Sequence, residues 1–196
     1  MLLLLCAEGE GQTKQSQGEQ TMLRISVRLA FLTVSVIALP AFAAMADDPQ
    51  ITRGKYLVAL GGCNDCHTPG YFFGNPDMSR FLGGSDVGFE IPGQGVFVGR
   101  NITPDKETGI GSWTLEQIVK AIQTGERPDR RILAPIMPWH AFAKLTADDA
   151  TAIAAFLQSL NPVSNQLPGP FKPGEKVSTF MFRIVPPGET AAAAAK

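Results

Sequence analysis

Cysteine and histidine are nearly absent from this chain. Its 196 residues hold three cysteines, Cys6, Cys63 and Cys66, and two histidines, His67 and His140. So few cysteines exclude a disulfide framework as the source of stability. An excess of one charge is also missing: 17 Lys and Arg stand against 18 Asp and Glu, for a net charge of −1. No basic stripe is present, which excludes nucleic acid as the expected partner. No internal repeat occurs, so a single module is expected. After residue 46 no apolar run is long enough to cross a bilayer.

What the chain does have is Gly62-Cys63-Asn64-Asp65-Cys66-His67-Thr68, GCNDCHT. Two thiols at this spacing can hold each other, a metal ion or a larger group. A closed zinc site needs about four Cys or His ligands. Cys63, Cys66, His67 and His140 would supply four, but adjacent Cys66 and His67 do not have the spacing of a finger or ribbon. A redox CxxC is expected beside a βαβ pattern, and none is visible. The remaining reading is C-x-x-C-H, the attachment signature of haem c. Two thiols form thioethers to the haem vinyl groups, and the next histidine lies under the iron.

The chain also carries the pattern of an export signal. From Met22 the chain reads MLRISVRLAFLTVSVIALPAFAAMADDP, with Arg24 and Arg28 ahead of an apolar stretch, Leu29 to Leu39. Ala41-Phe42-Ala43 and Ala44-Met45-Ala46 are both small-residue cleavage sites. Residues 22–46 are therefore expected to be a signal peptide cut after Ala46, with Ala43 the rival and a retained anchor the alternative. Residues 1–21 look like a low-complexity extension or a misassigned start, with Met22 the expected first residue. The expected domain is 47–162, followed by a Pro/Gly-rich tail, 163–196. The expected location is the periplasm.

Hydrophobic period and end signals predict three helices. The first, 51–61, has Thr52 as N-cap and Tyr56, Leu57 and Leu60 as its face, and it delivers the cysteines. The second, 114–124, has a capping box of Thr114 and Gln117, an apolar row of Leu115, Ile118, Val119 and Ile122, and a Gly125 stop. The third, 147–160, is capped by Thr146 and buries Ile153, Phe156, Leu157 and Leu160. Residues 68–112 read as a long Gly-rich loop with a short hairpin around GFEIPGQGVFVGR. Its aromatics, Tyr71, Phe72, Phe73 and Phe81, would cover a haem or rim its exposed edge. The tail carries one apolar piece, Phe180 to Val185, either a strap or a docking peptide.

A haem held by His67 has a second axial position. Met78, Met137, His140 and Met181 are the candidates. Met137 is favoured because Pro135 and Pro138 stiffen the loop between the second and third helices. His/Met ligation raises the reduction potential, which suits an electron carrier. His140 reads as structural, within the Met137 loop or near a propionate.

The chain resembles the class I c-type cytochromes. It is most similar to the single-haem modules in cytochrome subunits of bacterial alcohol and gluconate dehydrogenases. The resemblance spans residues 51–165 and rests on Gly54 and Tyr56, the CNDCH motif, GRNITPD (99–105), TGIGSW (108–113), Met137-Pro138-Trp139 and AFLQSL (155–160). It implies an all-α fold of three to four helices around one covalent haem c, with the long loop and an irregular tail. It implies thioethers at Cys63 and Cys66, iron ligands His67 and Met137, and Arg100, Asn101 and Trp113 on the propionate side. The first and last helices would cross near Gly54, Tyr56 and Phe156. The implied function is electron transfer from a donor dehydrogenase to an oxidase or another cytochrome, with no chemistry of its own. Membrane association would come only through a partner or an uncleaved signal. The alternatives are a haem peroxidase-like enzyme or a gas sensor with an open distal site. A sensor would need an output domain, for which there is no room.

Overall fold

The computed structural model describes residues 48–185, 187 and 188. The expected extension, signal peptide and cleavage sites, and Cys6, lie outside the described residues.

Five helices and a small sheet follow in order. They are α1 (Pro49–Leu60), α2 (Cys63–His67), β1 (Val87–Ile91), β2 (Gly95–Val98), α3 (Leu115–Thr124), α4 (Trp139–Phe142), α5 (Ala147–Ser159) and β3 (Phe180–Phe182), with 3₁₀ turns at Tyr71–Phe73 and Met78–Arg80. The N-cap of α1 is Asp48, not Thr52. Its carboxylate accepts from Gln50 N at 2.8 Å, and Pro49 starts the helix, where its missing N–H costs nothing. The buried face of α1 is Gly54, Leu57 and Val58. Of the row expected from the sequence Leu57 is buried, whereas Tyr56 and Leu60 are 57% and 70% exposed. Thr114 and Gln117 make the full capping box of α3 as expected, although Leu115 at its start is exposed. Thr146 caps α5 by accepting from Asp149 N at 3.1 Å.

Helices α1 and α5 cross at Gly54. A Cβ there would collide with the Ala152 carbonyl and the Phe156 Cβ. Tyr56 takes no part in the crossing. It lies on the surface, under the Arg53 guanidinium, which also pairs with Asp149 at 2.8 Å. The core gathers Leu57 and Val58 of α1, Ile118 and Ile122 of α3, and Ile153, Phe156 and Leu157 of α5, with Leu82 and Ile110 from the loops. Gly54→Ala would gain about 1 kcal/mol in helix propensity but must push two backbones apart. A net loss of ~2 kcal/mol is expected, read as a Tm lower by ~6 °C.

The expected hairpin exists: β1 pairs antiparallel with β2, Gly88 facing Val98 and Ile91 facing Gly95. The fold is nevertheless not purely α. The tail returns and adds β3 in parallel to the other edge of β1, with Gly88 facing Met181. The apolar piece of the tail is thus a strap. The loop aromatics hold it there: Phe72 packs edge-on to Phe89 and Phe182 at 5.6 and 4.8 Å, and Phe73 meets Phe180 at 4.9 Å. Phe81 alone of the four packs on the helical core. A parallel third strand separated from its partner by three helices leaves no local signal, since the contact period of residues 180–182 is set by a segment far away in the chain. Among the described residues no helix is long and apolar enough to cross a membrane.

Candidate functional site

Helix α1 ends at Gly61, and Gly62 turns the chain with φ +64° into α2. That left-handed turn suits glycine, and it sets Cys63 at the first helical position. Cys63 and Cys66 are three apart on one helical turn, so their side chains share a face. Both thiols are unpaired and half-buried. Burial pushes the Cys63 thiol up to about 11 and raises that of Cys66 as well, with Asp65 adding to both. A redox CxxC needs the opposite shift. Among the described residues no cluster of three or more His, Cys, Asp or Glu is placed to hold a metal ion, so the four-ligand zinc set does not assemble. His140 is exposed, and its ring lies on Trp139, centroids 3.4 Å apart.

His67 carries the decisive geometry. Its Nδ1 lies 2.6 Å from the carbonyl oxygen of Arg100. A carbonyl only accepts, so Nδ1 holds the proton and Nε2 keeps its lone pair. Burial lowers the pKa of the imidazole, partly offset by the Arg100 carbonyl, which keeps the ring neutral near pH 7. A neutral ring with one nitrogen anchored to a carbonyl is the state of a metal-ligating histidine. The backbone around it is firmly held. Gly84 N donates to His67 O at 2.7 Å, Leu82 N to Thr68 Oγ1 at 2.9 Å, and Ser85 N to Gly99 O at 2.9 Å.

Met137 lies half-buried in a turn fixed on both sides. Its N donates to Ala134 O at 2.9 Å, and its carbonyl accepts from Trp139 N at 2.8 Å. Leu133 N reaches back to Gly125 O at 2.8 Å, and Gln123 donates to Leu145 O at 3.0 Å. The Trp139 ring covers Gly125, the left-handed stop of α3. The loop is therefore bound to the end of α3 at two points. Of the rivals, Met78 is 59% exposed on a 3₁₀ turn and Met181 is 41% exposed within β3.

The residues expected on the propionate side divide. Arg100 turns its guanidinium to the tail, donating to Leu167 O at 2.8 Å, Pro168 O at 3.0 Å and Gly169 O. Asn101 is 2% exposed. Its amide nitrogen donates to Thr108 Oγ1 at 2.9 Å and Val163 O at 2.6 Å, and its oxygen accepts from Thr103 N and Oγ1 at 3.0 and 2.7 Å. Carbonyls of the tail thus accept from both side chains. Trp113 packs on the core beneath the Arg127 guanidinium, 5.7 Å from its ring.

Two donors the sequence reading missed are Arg127 Nε and Trp139 Nε1, both buried and without a hydrogen-bond partner. An orphaned buried donor costs about 1–3 kcal/mol, and a carboxylate supplied by a bound group removes that cost. The sequence signal was slight: an arginine just after the α3 stop, and a tryptophan after Met137-Pro138. Two unpaired thiols on one face, a neutral histidine presenting Nε2, and orphaned donors for carboxylates fit a covalently bound haem c.

Helices packed around a CxxCH turn with its histidine set for ligation make this a cytochrome c module, and comparison with known proteins agrees. The cytochrome c subunit of the quinone alcohol dehydrogenase of Gluconobacter oxydans is 36% identical over 148 residues, 75% of this chain and 29% of that subunit. The fructose dehydrogenase cytochrome subunit of Gluconobacter japonicus is 38% identical over 135 residues, 65% of this chain and 26% of that protein. The gluconate 2-dehydrogenase cytochrome c subunit of Pantoea cypripedii is 34% identical over 134 residues, 66% of this chain and 28% of that protein. No family model matches. The chain is thus a cytochrome c module similar to those of dehydrogenase cytochrome subunits, and it spans under a third of the length of these relatives.

Proposed function

We propose that this chain is a periplasmic electron-transfer cytochrome. It holds one haem c through Cys63 and Cys66, with His67 and Met137 as axial ligands. It passes single electrons from a partner dehydrogenase to a respiratory acceptor. Bound haem would supply a one-electron iron couple, and the protein would supply everything that orients and tunes it. His67 offers Nε2 from a ring whose other nitrogen is fixed by Arg100. Met137 offers a thioether from a loop secured to α3, so the ligand set can stay unchanged when iron changes oxidation state. Arg127, Trp113 and Trp139 would face the haem carboxylates. The α1–α3–α5 core, with Cys63 packed against it, keeps water from one side of the site.

The His67–Arg100 hydrogen bond carries this reading, since it both selects the tautomer and aims the ring. The test is the visible spectrum of the purified protein reduced with dithionite, with and without carbon monoxide, beside a mass measurement for one covalent haem. An unchanged spectrum under carbon monoxide is expected, because both axial positions are filled. Met137→Ala should then bind carbon monoxide fully. Its potential should fall by more than a tenfold change in the oxidised-to-reduced ratio, above about 59 mV for one electron. Ready carbon monoxide binding by the unaltered protein would overturn the carrier reading.

A further inference from the structure

Arg100 belongs to two networks at once. Its carbonyl accepts the His67 Nδ1 hydrogen bond, and its guanidinium holds three consecutive tail carbonyls, those of Leu167, Pro168 and Gly169. No carboxylate pairs with this guanidinium among the described residues. Burial and the like charges of Arg127 and Arg131 act on it instead. A half-buried arginine neutralised only by carbonyl dipoles depends on that tail segment for its place. The segment is itself anchored on both flanks. Upstream, Val163 N donates to Thr103 Oγ1 at 3.0 Å and Asn165 Nδ2 to Gly83 O at 2.8 Å. Downstream, Phe171 N and Val96 O lie 3.0 Å apart in a bridge, and β3 follows.

We propose that Arg100 is a positioning residue through which tail residues 167–169 set the His67–Arg100 hydrogen bond, and through it the reduction potential of iron bound to His67. This rests on the haem reading above. A hydrogen bond from Nδ1 makes the imidazole a more basic ligand, which favours ferric iron. A firm bond lowers the potential and a loosened bond raises it. The position of the Arg100 carbonyl depends on both ends of its residue: Gly99 lies against the Cys66 carbonyl on one side, and the clamped guanidinium restrains the other. The positive charge of Arg100 acts in the opposite sense, because removing a cation near the site favours the ferric state. A decisive variant must therefore keep the charge.

Two alterations do so, both made in the haem-loaded protein. Arg100→Lys keeps the cation and loses the planar fork. Replacing Leu167, Pro168 and Pro170 together by glycine leaves the three carbonyls without a fixed place, adds no charge, and keeps the Val163, Asn165 and Phe171 anchors. Each is expected to raise the midpoint potential in a spectroelectrochemical titration by about a threefold change in the oxidised-to-reduced ratio, about 28 mV for one electron. Each should also speed hydrogen–deuterium exchange at His67 Nδ1–H in the reduced protein. Combined, they should shift the potential no further than either alone, because they break one contact from its two ends. Phe180→Ala loosens β3, leaves the clamp intact and should move neither readout. Unmoved potentials in both altered proteins, additive shifts on combining them, or an equal shift in Phe180→Ala would each overturn the inference. Absence of covalent haem from the unaltered protein would overturn the haem reading and this inference with it. Attached haem with unmoved potentials would overturn the inference alone.

Discussion

Asn101→Ala should destabilise the protein by about 4 kcal/mol and leave its reduction potential near that of the unaltered protein. The side chain makes four hydrogen bonds in a site that is 2% exposed. Its loss orphans Thr103 N and Val163 O, at about 1–3 kcal/mol for each buried group left unpaired. Thr103 Oγ1 lies 3.5 Å from Val163 O and can recover part of this. The expected Tm fall is ~12 °C at this size. Asn101→Asp should be worse, since a carboxylate would then face the Val163 carbonyl in a buried site. Thermal unfolding of the haem-loaded protein, beside a potential measurement, tests both. A normal Tm with a shifted potential would show that Asn101 acts on the propionate side and not as a structural anchor.

That prediction reflects what the sequence can and cannot show. The CxxCH turn was legible because its chemistry depends on residue order alone: thiols three apart, then an imidazole. The capping box at Thr114 and Gln117 and the N-cap at Thr146 were legible for the same reason, being bonds between near neighbours in the chain. What escaped depends on distant segments. The true face of α1 is chosen by Ala152 and Phe156 of α5, and a short helix with few apolar residues does not declare that choice. The strand β3 exists because Phe72, Phe73 and Phe89 receive it. The resemblance sets Arg100 and Asn101 on the propionate side, and it carries no sign that the tail, from Val163 to Gly169, supplies acceptors to both. The tail read as irregular because its order comes from carbonyls that meet side chains some 60 residues earlier, as in the Asn101–Val163 bond, and composition carries no trace of such contacts.

The same long-range logic makes Gly99 the most sensitive glycine near the site. A Cβ at Gly99 would overlap the Cys66 carbonyl oxygen, with the Ser85 Cβ next at 3.5 Å. Both nearest neighbours are fixed: the carbonyl belongs to the motif helix, and Ser85 N is bonded to Gly99 O at 2.9 Å. No flexible side chain can yield, so the segment 99–100 must lift from the motif and carry the Arg100 carbonyl away from His67. Overpacking against backbone costs up to about 3 kcal/mol, and a weakened His67 bond adds to it, so Gly99→Ala should lose about 4 kcal/mol. Gly93→Ala is the comparison. That residue has φ +75° and nothing within 4 Å of an added Cβ, so its cost is backbone strain alone, about 1–2 kcal/mol. The measurement is denaturant unfolding of both variants, with covalent haem yield by mass and Nδ1–H exchange at His67. Gly99→Ala should lower haem yield severalfold and expose the Nδ1 proton, whereas Gly93→Ala should change neither. Equal losses in the two variants would mean that the close approach of residues 99–100 to the motif does not hold His67 in place.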